Sequence, residues 1–270
     1  MTLFQAIVLG AVQGVTEFLP ISSTAHLVLT PWFFGWPDPG LSFDIALHIG
    51  TLVALLLFFR AEWLQLAHGG LALLRGNRRA PNAQLAFYLI IATIPALIVG
   101  GLFAEFADST LRHPLIIATT LIVLALVLVV AERTGRRKTE LKDMSTADAI
   151  TVGCAQALAL IPGVSRSGVT ITAGLFRGMT REAAARFSFF LSTPVIGAAI
   201  SKAIVDGFRE GFPAVDPTSM AAGIVASGIV GYLSIAFLLR YLATHSMYIF
   251  VYYRIVLGVV VAAAYFGGLR

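Results

Sequence analysis

The chain has 270 residues, of which 58% are hydrophobic and only 12% charged, with a net charge of +5 and a single cysteine. An average soluble domain carries about 25% charged residues, so there is too little polar surface here to cover a soluble globule, and a mean hydropathy of +0.87 agrees. The bilayer must solvate most of the exterior. The positive charge does not point to nucleic acid. Arg75, Arg78 and Arg79 form one cluster and Arg133, Arg136, Arg137, Lys138 and Lys142 another, each between apolar stretches, which is the pattern of cytoplasmic loops. Cys154 lies in an apolar stretch. One thiol makes neither an intrachain disulfide nor a cysteine metal cluster, so it reads as a small packing residue.

In chain order, no Lys or Arg precedes the first apolar run and Gln5 interrupts it. The run lacks the basic start of a cleaved signal peptide and is expected to stay in the mature protein. Residues 3–15 are apolar but too short to cross a bilayer, and they lead into Gln13-Gly-Val-Thr-Glu-Phe-Leu-Pro-Ile-Ser-Ser-Thr-Ala-His26. Apolar character then resumes and breaks again at 31–40. Spanning helices are expected at 41–59, 84–103 and 114–130, each near the roughly 20 residues a crossing needs. The second half repeats the plan. A short apolar run at 147–160 leads into Gln156-Ala-Leu-Ala-Leu-Ile-Pro-Gly-Val-Ser-Arg-Ser-Gly-Val-Thr170, with a break at 174–181. Further spans are expected at 184–205, 219–239 and 247–266.

A short helix, a proline break and a second short helix read as a re-entrant hairpin, tolerated at membrane depth only where protein or a wet cavity surrounds it. The halves correspond in sequence: Gly10-Ala-Val-Gln13 with Gly153-Cys-Ala-Gln156, and Pro20, Ser22 and Ser23 with Pro162, Ser165 and Ser167 after a one-residue shift. A hairpin plus three crossings begins and ends on opposite faces, so the second half is inverted relative to the first, a repeat type that builds a site at mid-membrane. The expected fold is therefore an all-α polytopic membrane bundle of about six spanning helices and two re-entrant hairpins. It forms one domain over 1–270, with inverted repeats at about 1–140 and 145–270. Placing the loop at 75–79 inside also puts 133–142, 177–186 and Arg240 inside, and leaves the first hairpin's mouth, the loops near 108–113 and 206–216 and the C-terminus outside.

Ionisable residues inside membrane segments are costly, and each is a functional candidate. Glu17, His26 and Arg166 stand out; Asp44, His48 and Arg254 are weaker cases. Gln13 and Glu17 share a helix face, and a carboxylate beside an amide oxygen is ligation that Mg²⁺ or Ca²⁺ accepts. The plainer alternative is a polar pair satisfying itself between helices. Ser22, Ser23 and Thr24 after Pro20 form a helix start, where hydroxyls and unpaired N–H groups make an anion site. His26 is one helical turn from both Ser22 and Ser23, and a hydroxyl beside a histidine can be an activated nucleophile; an ordinary N-cap with a satisfied core histidine is the competing interpretation. In Pro162–Thr170, Gly163 and Gly168 permit close backbone approach, Ser165, Ser167 and Thr170 supply hydroxyls, and Arg166 offers a planar fork that matches phosphate. Against this stands an arginine that merely snorkels to the interface. Taken together, the two motifs suit a lipid phosphate or diphosphate.

Glu-Phe-Leu-Pro-Ile-Ser-Ser-Thr-Ala-His (17–26) and Pro-Gly-Val-Ser-Arg-Ser-Gly-Val-Thr (162–170) resemble the two signature motifs of the bacterial undecaprenyl-diphosphate phosphatase family, linked to bacitracin resistance. The resemblance covers essentially the whole chain. It implies hydrolysis of the C55 lipid diphosphate to the monophosphate for peptidoglycan synthesis, dependence on a divalent metal, and a multi-pass protein of the bacterial inner membrane whose site opens to the outer, periplasmic face. On this resemblance Glu17, Ser23, His26 and Arg166 fall on the family's important positions, and Ser22, Ser165 and Thr170 match adjacent polar ones. With the reading of the residues, the expected catalytic residues are Glu17, Ser23, His26 and Arg166; the expected substrate-binding residues are Gln13, Ser22, Thr24, Gly163, Ser165, Ser167 and Thr170; and Glu17 with Gln13 would hold the metal, Mg²⁺ or Ca²⁺. Many family members have Glu where this chain has Gln13, which argues against a mechanism needing two carboxylates there. The expected partners are a polyprenyl diphosphate and membrane lipids, not nucleic acid, with a homodimer left open. The expected chemistry is attack by Ser23 assisted by His26, or by water with His26 or Glu17 as base. A lipid transporter or flippase using the same inverted-repeat site is the main alternative, although transport needs no nucleophile. A phosphatidic-acid-type phosphatase would need further Lys, Arg and His motifs absent from this sequence.

Overall fold

The computed structural model describes residues 1–211 and 215–268, with backbone only at 105, 108, 109 and 210, so the expected outer loop at 206–216 lies partly outside the described residues. The described chain is helical, with no strand beyond an isolated bridge between Thr139 and Met179. In order the helices are α1 (Leu3–Phe18), α2 (Ser23–Phe34), α3 (Leu41–Phe58), α4 (Arg60–Leu74), α5 (Ala83–Thr110), α6 (Pro114–Thr134), α7 (Thr146–Ala157), α8 (Arg166–Phe176), α9 (Arg181–Glu210), α10 (Pro217–Leu242) and α11 (Tyr248–Phe266). Six of them are long and apolar enough to cross a membrane: α3, α5, α6, α9, α10 and α11. These are the six expected from hydropathy. One joint was not foreseen. The stretch at 60–74 forms a separate helix, because Phe59 leaves helical geometry (φ −100°, ψ 28°) and buries its ring.

The short helices form two hairpins, α1–α2 and α7–α8. Thr2 and Gln5 make a capping box at the start of α1, and Ser145 and Asp148 make one at the start of α7, each satisfying orphan N–H groups of a first turn. Pro20 stops α1, since the residue before a proline is pushed to extended geometry and Leu19 lies at φ −69°, ψ 142°. Near Pro162 the second hairpin tightens first into a 3₁₀ turn, Leu158–Leu160. The second arms start alike. Ser22 caps α2 at φ 76° and Ser165 caps α8 at φ 69°, each accepting from the N–H three residues on, Ala25 and Gly168.

The hairpins sit on different long helices. α1 packs along α10, and α7 along α5. Both contacts are backbone-close: a Cβ on Gly14 would lie 2.7 Å from the Gly231 nitrogen, and one on Gly153 would lie 2.5 Å from the Ala92 Cα. Small residues permit such approach where lipid supplies no hydrophobic drive between helices. α6 and α11 pair beside both turns. At one end, Glu132 is buried and pairs with Arg181 and Arg137, and Asp148 pairs with Arg177 at 2.7 Å, tying the basic loop to the α8–α9 junction. Cys154 corrects the sequence reading: it is exposed, because its neighbour Gly153 takes the face of α7 that meets α5.

Candidate active site

The last turn of α1 carries Glu17, buried at 5% exposure. One carboxylate oxygen pairs with the Arg166 guanidinium, at the first position of α8. The other accepts from the Ser23 hydroxyl at 2.6 Å and from the Gln13 amide at 3.0 Å, and His48 Nε2 of α3 lies 3.4 Å away. One carboxylate thus joins residues from both motifs, more than a hundred positions apart in sequence. Arg166 also donates to the Ser192 carbonyl of α9 at 3.3 Å, and Ser167 reaches across to the Leu19 carbonyl at 3.0 Å, so the two turns touch directly.

Two observations revise the sequence reading. Ser23 and His26 are not hydrogen-bonded. His26 donates Nδ1–H to the Ser22 carbonyl at 2.6 Å, leaving Nε2 to accept from the Tyr253 hydroxyl at 2.7 Å, with the rings stacked. Spacing brings both hydroxyls within reach of the imidazole, but a carbonyl one turn back is the stronger acceptor. Ser23, at the first helical position, leans toward the N-terminus, where Glu17 receives it. The close approach at Gly163 is also to protein: at φ +89° it lies against Ile117 and Thr120 of α6.

The other expected ligands divide into braces and free groups. Ser165 is the cap of α8 and lies 3.3 Å from the Ser167 hydroxyl. Thr170 bonds the Arg166 carbonyl and the Ser188 hydroxyl, both at 2.7 Å, and so braces α8 on α9. Ser22 holds its cap and the Thr24 hydroxyl at 3.2 Å. Thr24 is exposed and Ser23 half-buried. Among the described residues, the N–H groups of Ser23, Thr24, Arg166 and Ser167 have no partner, as expected of the first two positions of a helix. Two helix N-termini of this kind, one of them carrying the Arg166 guanidinium, are groups able to bind an anion. Of the weaker candidates, His48 enters the site, while Asp44 belongs to an outlying pair with Arg112 at 3.4 Å. Tyr253 gave no sequence signal: a tyrosine in an apolar span is ordinary.

The fit of a divalent cation rests on Gln13. Its amide nitrogen serves Glu17, and its oxygen is buried without a partner, a costly state unless a ligand completes it. Among the described residues no group of three or more His, Cys, Asp or Glu could hold a metal. The donors therefore suit a hard cation that takes most of its ligands from a bound diphosphate, as Mg²⁺ commonly does.

A sequence model described as bacitracin resistance protein BacA matches residues 6–260. A protein of Moorella thermoacetica named undecaprenyl-diphosphatase is 50% identical over 266 residues, covering 98% of each chain. Proteins of the same name from Gemmatimonas aurantiaca and Pelotomaculum thermopropionicum are each 47% identical, over 264 and 268 residues, covering 97% and 98% of this chain and 98% of their own.

Proposed function

The chain belongs to the bacitracin resistance protein BacA family, and from that premise we propose how its residues carry out the reaction. It is a multi-pass membrane enzyme that hydrolyses undecaprenyl diphosphate to undecaprenyl phosphate and inorganic phosphate, which returns the lipid carrier to cell-wall synthesis and confers bacitracin resistance. The observation that carries the mechanism is the shared carboxylate: Glu17 holds the Ser23 hydroxyl on one oxygen and the Arg166 guanidinium on the other.

In the resting site Arg166 is neutralised by Glu17. A diphosphate offers more oxygens to the planar fork than one carboxylate does, and the unpaired N–H groups at the starts of α2 and α8 face the same charge. Substrate therefore draws Arg166 onto its phosphoryl oxygens and releases Glu17 from that pair, so that the carboxylate oxygen facing Ser23 can act as base. The Ser23 hydroxyl passes its proton to Glu17 while its oxygen attacks the terminal phosphorus. The bond to the bridging oxygen breaks, and undecaprenyl phosphate departs with the electron pair. Arg166 and the helix termini stabilise charge on the equatorial oxygens. Glu17 gives that proton to the departing undecaprenyl phosphate and is a carboxylate again. It then takes a proton from water, whose oxygen bonds to phosphorus as the bond to the Ser23 oxygen breaks, and it returns the proton to Ser23 as phosphate leaves. His26 is held by Tyr253 and the Ser22 carbonyl and orients the first turn rather than acting on Ser23. A divalent cation, Mg²⁺ or Ca²⁺, held by Gln13 and Glu17 and by the substrate, would neutralise charge on the diphosphate.

We assign the two halves, about 1–140 and 145–270, as inverted repeats with re-entrant hairpins. The matching serine caps and the matching placement of α1 on α10 and α7 on α5 support this. The arginine-rich loops at 75–79 and 133–142 support a cytoplasmic placement, with the site opening to the periplasmic side of the inner membrane. Both halves of the site come from one chain. The test is acid quench of enzyme turning over labelled lipid diphosphate in detergent micelles. Label on Ser23 is expected, and full activity in Ser23→Ala would overturn the covalent route in favour of direct attack by water.

A further inference from the structure

Arg254, in the middle of α11, is 1% exposed and heads the largest fully buried side chains. Among the described residues no carboxylate lies within ion-pair distance of it, which is an expensive state for a charge inside a membrane protein. Its donors go to carbonyls instead. Nε reaches Leu121 at 3.1 Å; Nη1 reaches Pro20 and Val164, both at 3.2 Å; Nη2 reaches Gly163 at 2.9 Å, Val164 at 3.2 Å and Thr120 at 3.4 Å. Those carbonyls belong to three separate pieces of chain: helix α6, the first serine turn and the second serine turn. Only a planar guanidinium with five N–H groups can serve so many acceptors at once.

The site needs such a device. Ser22 and Ser165 both sit at positive φ, 76° and 69°, a region that costs a side-chain-bearing residue about 1–2 kcal/mol. Strain of this kind persists only where the surroundings over-determine it. Arg254 grips the peptide units just before each cap, at Pro20 and at Gly163 and Val164. A peptide unit is planar and trans, so fixing a carbonyl also fixes the N–H on its far side. The Ile21 N–H accordingly closes on the Leu19 carbonyl at 2.7 Å, and the Val164 unit fixes the N–H of Ser165 itself. Thr120 adds a second tie from α6, donating to the Pro162 carbonyl at 2.7 Å. Close packing leaves no slack, since a Cβ on Gly168 would lie 2.8 Å from Arg254 Nη1.

We propose that Arg254 is a positioning residue for the reaction: through backbone carbonyls it registers the two serine turns against each other on the α6–α11 pair, and so aligns Ser23 with Arg166. The inference rests on the site assigned to Ser23 and Arg166. Misalignment by about 1 Å can cost on the order of 100-fold in rate, while ground-state binding by the remaining groups survives.

The test compares Arg254→Lys and Thr120→Val with Arg166→Lys and the parent, in detergent, with phosphate release, KM and thermal melting measured on each. Arg254→Lys keeps the charge and loses the fork. A fall in kcat of about 10- to 100-fold is expected, with KM within about threefold and melting within a few degrees of the parent, and a smaller kcat loss in Thr120→Val. A kcat within twofold of the parent, a loss no larger than the loss of folded protein, or a rise in KM alone would overturn the inference. Should Arg254→Lys fail to fold, Thr120→Val decides, and an unchanged kcat there overturns it. Full activity in Arg166→Lys would instead bring down the site itself, which separates the two failures.

Discussion

The two serine turns share a backbone and differ in chemistry. Each follows a buried glutamine on the first arm, Gln13 or Gln156, and ends in a serine cap at positive φ. The residue after the cap is Ser23 in the first turn and Arg166 in the second; the residue four after the glutamine is Glu17 in the first and Leu160 in the second. The proposed nucleophile and base, Ser23 and Glu17, thus sit on one turn and the Arg166 cation on the other. Two alike helix starts offer unpaired N–H groups that could meet an anion from both turns, while their side chains differ. The scaffold supplies what the turns have in common, and the proposed chemistry lies in what they do not.

The most severe way to break this division is at the carboxylate that joins the turns. Glu17→Gln keeps the shape but removes both the base and the partner of Arg166, and kcat should fall by about 10³-fold or more, the upper range of general-base effects, in a phosphate-release assay. Ser23→Ala should fall comparably, and Ser23→Cys should regain part of the rate if the oxygen is a nucleophile. Arg166→Lys tests the other turn. A point charge replaces the fork, and the expected loss is about 10- to 100-fold in kcat/KM, with phosphate becoming a weaker inhibitor. Tyr253→Phe leaves Nε2 of His26 without its donor but touches neither Ser23 nor Glu17, and should cost less than about tenfold. A loss as large as that of Glu17→Gln would restore His26 to the proton transfer.

How far the sequence reveals this division depends on what each residue costs. Glu17 and Arg166 are legible because a charge at membrane depth must have a reason, and the six spans are legible because lipid demands long apolar runs. The partner of Ser23 is not. Spacing shows that His26 is near, but the choice among acceptors depends on where the Ser22 carbonyl points, which a positive φ decides. The same limit applies to Gly163: the sequence signals a close approach, and only packing tells that α6, rather than phosphate, makes it. Tyr253 is invisible because its hydroxyl becomes special only through a helix 227 positions away. Arg254 is conspicuous as a lone charge in an apolar span, yet its carbonyl partners come from three segments that no local pattern connects.

The smallest effects bear on what the turns share. Ser22→Ala and Ser165→Ala each remove a cap, at a cost of typically about 1 kcal/mol, and also leave a side-chain-bearing residue at positive φ. Ser22→Gly and Ser165→Gly lose the same hydrogen bond but relieve the backbone, because glycine populates positive φ freely. The glycine variants should therefore melt closer to the parent than the alanine variants at both positions, a difference of a few degrees by differential scanning fluorimetry in detergent. Equal shifts for glycine and alanine at one turn but not the other would mean that only one cap carries strain. The common backbone would then have diverged along with the side chains, leaving the shared scaffold confined to the glutamine-bearing arms, α1 and α7.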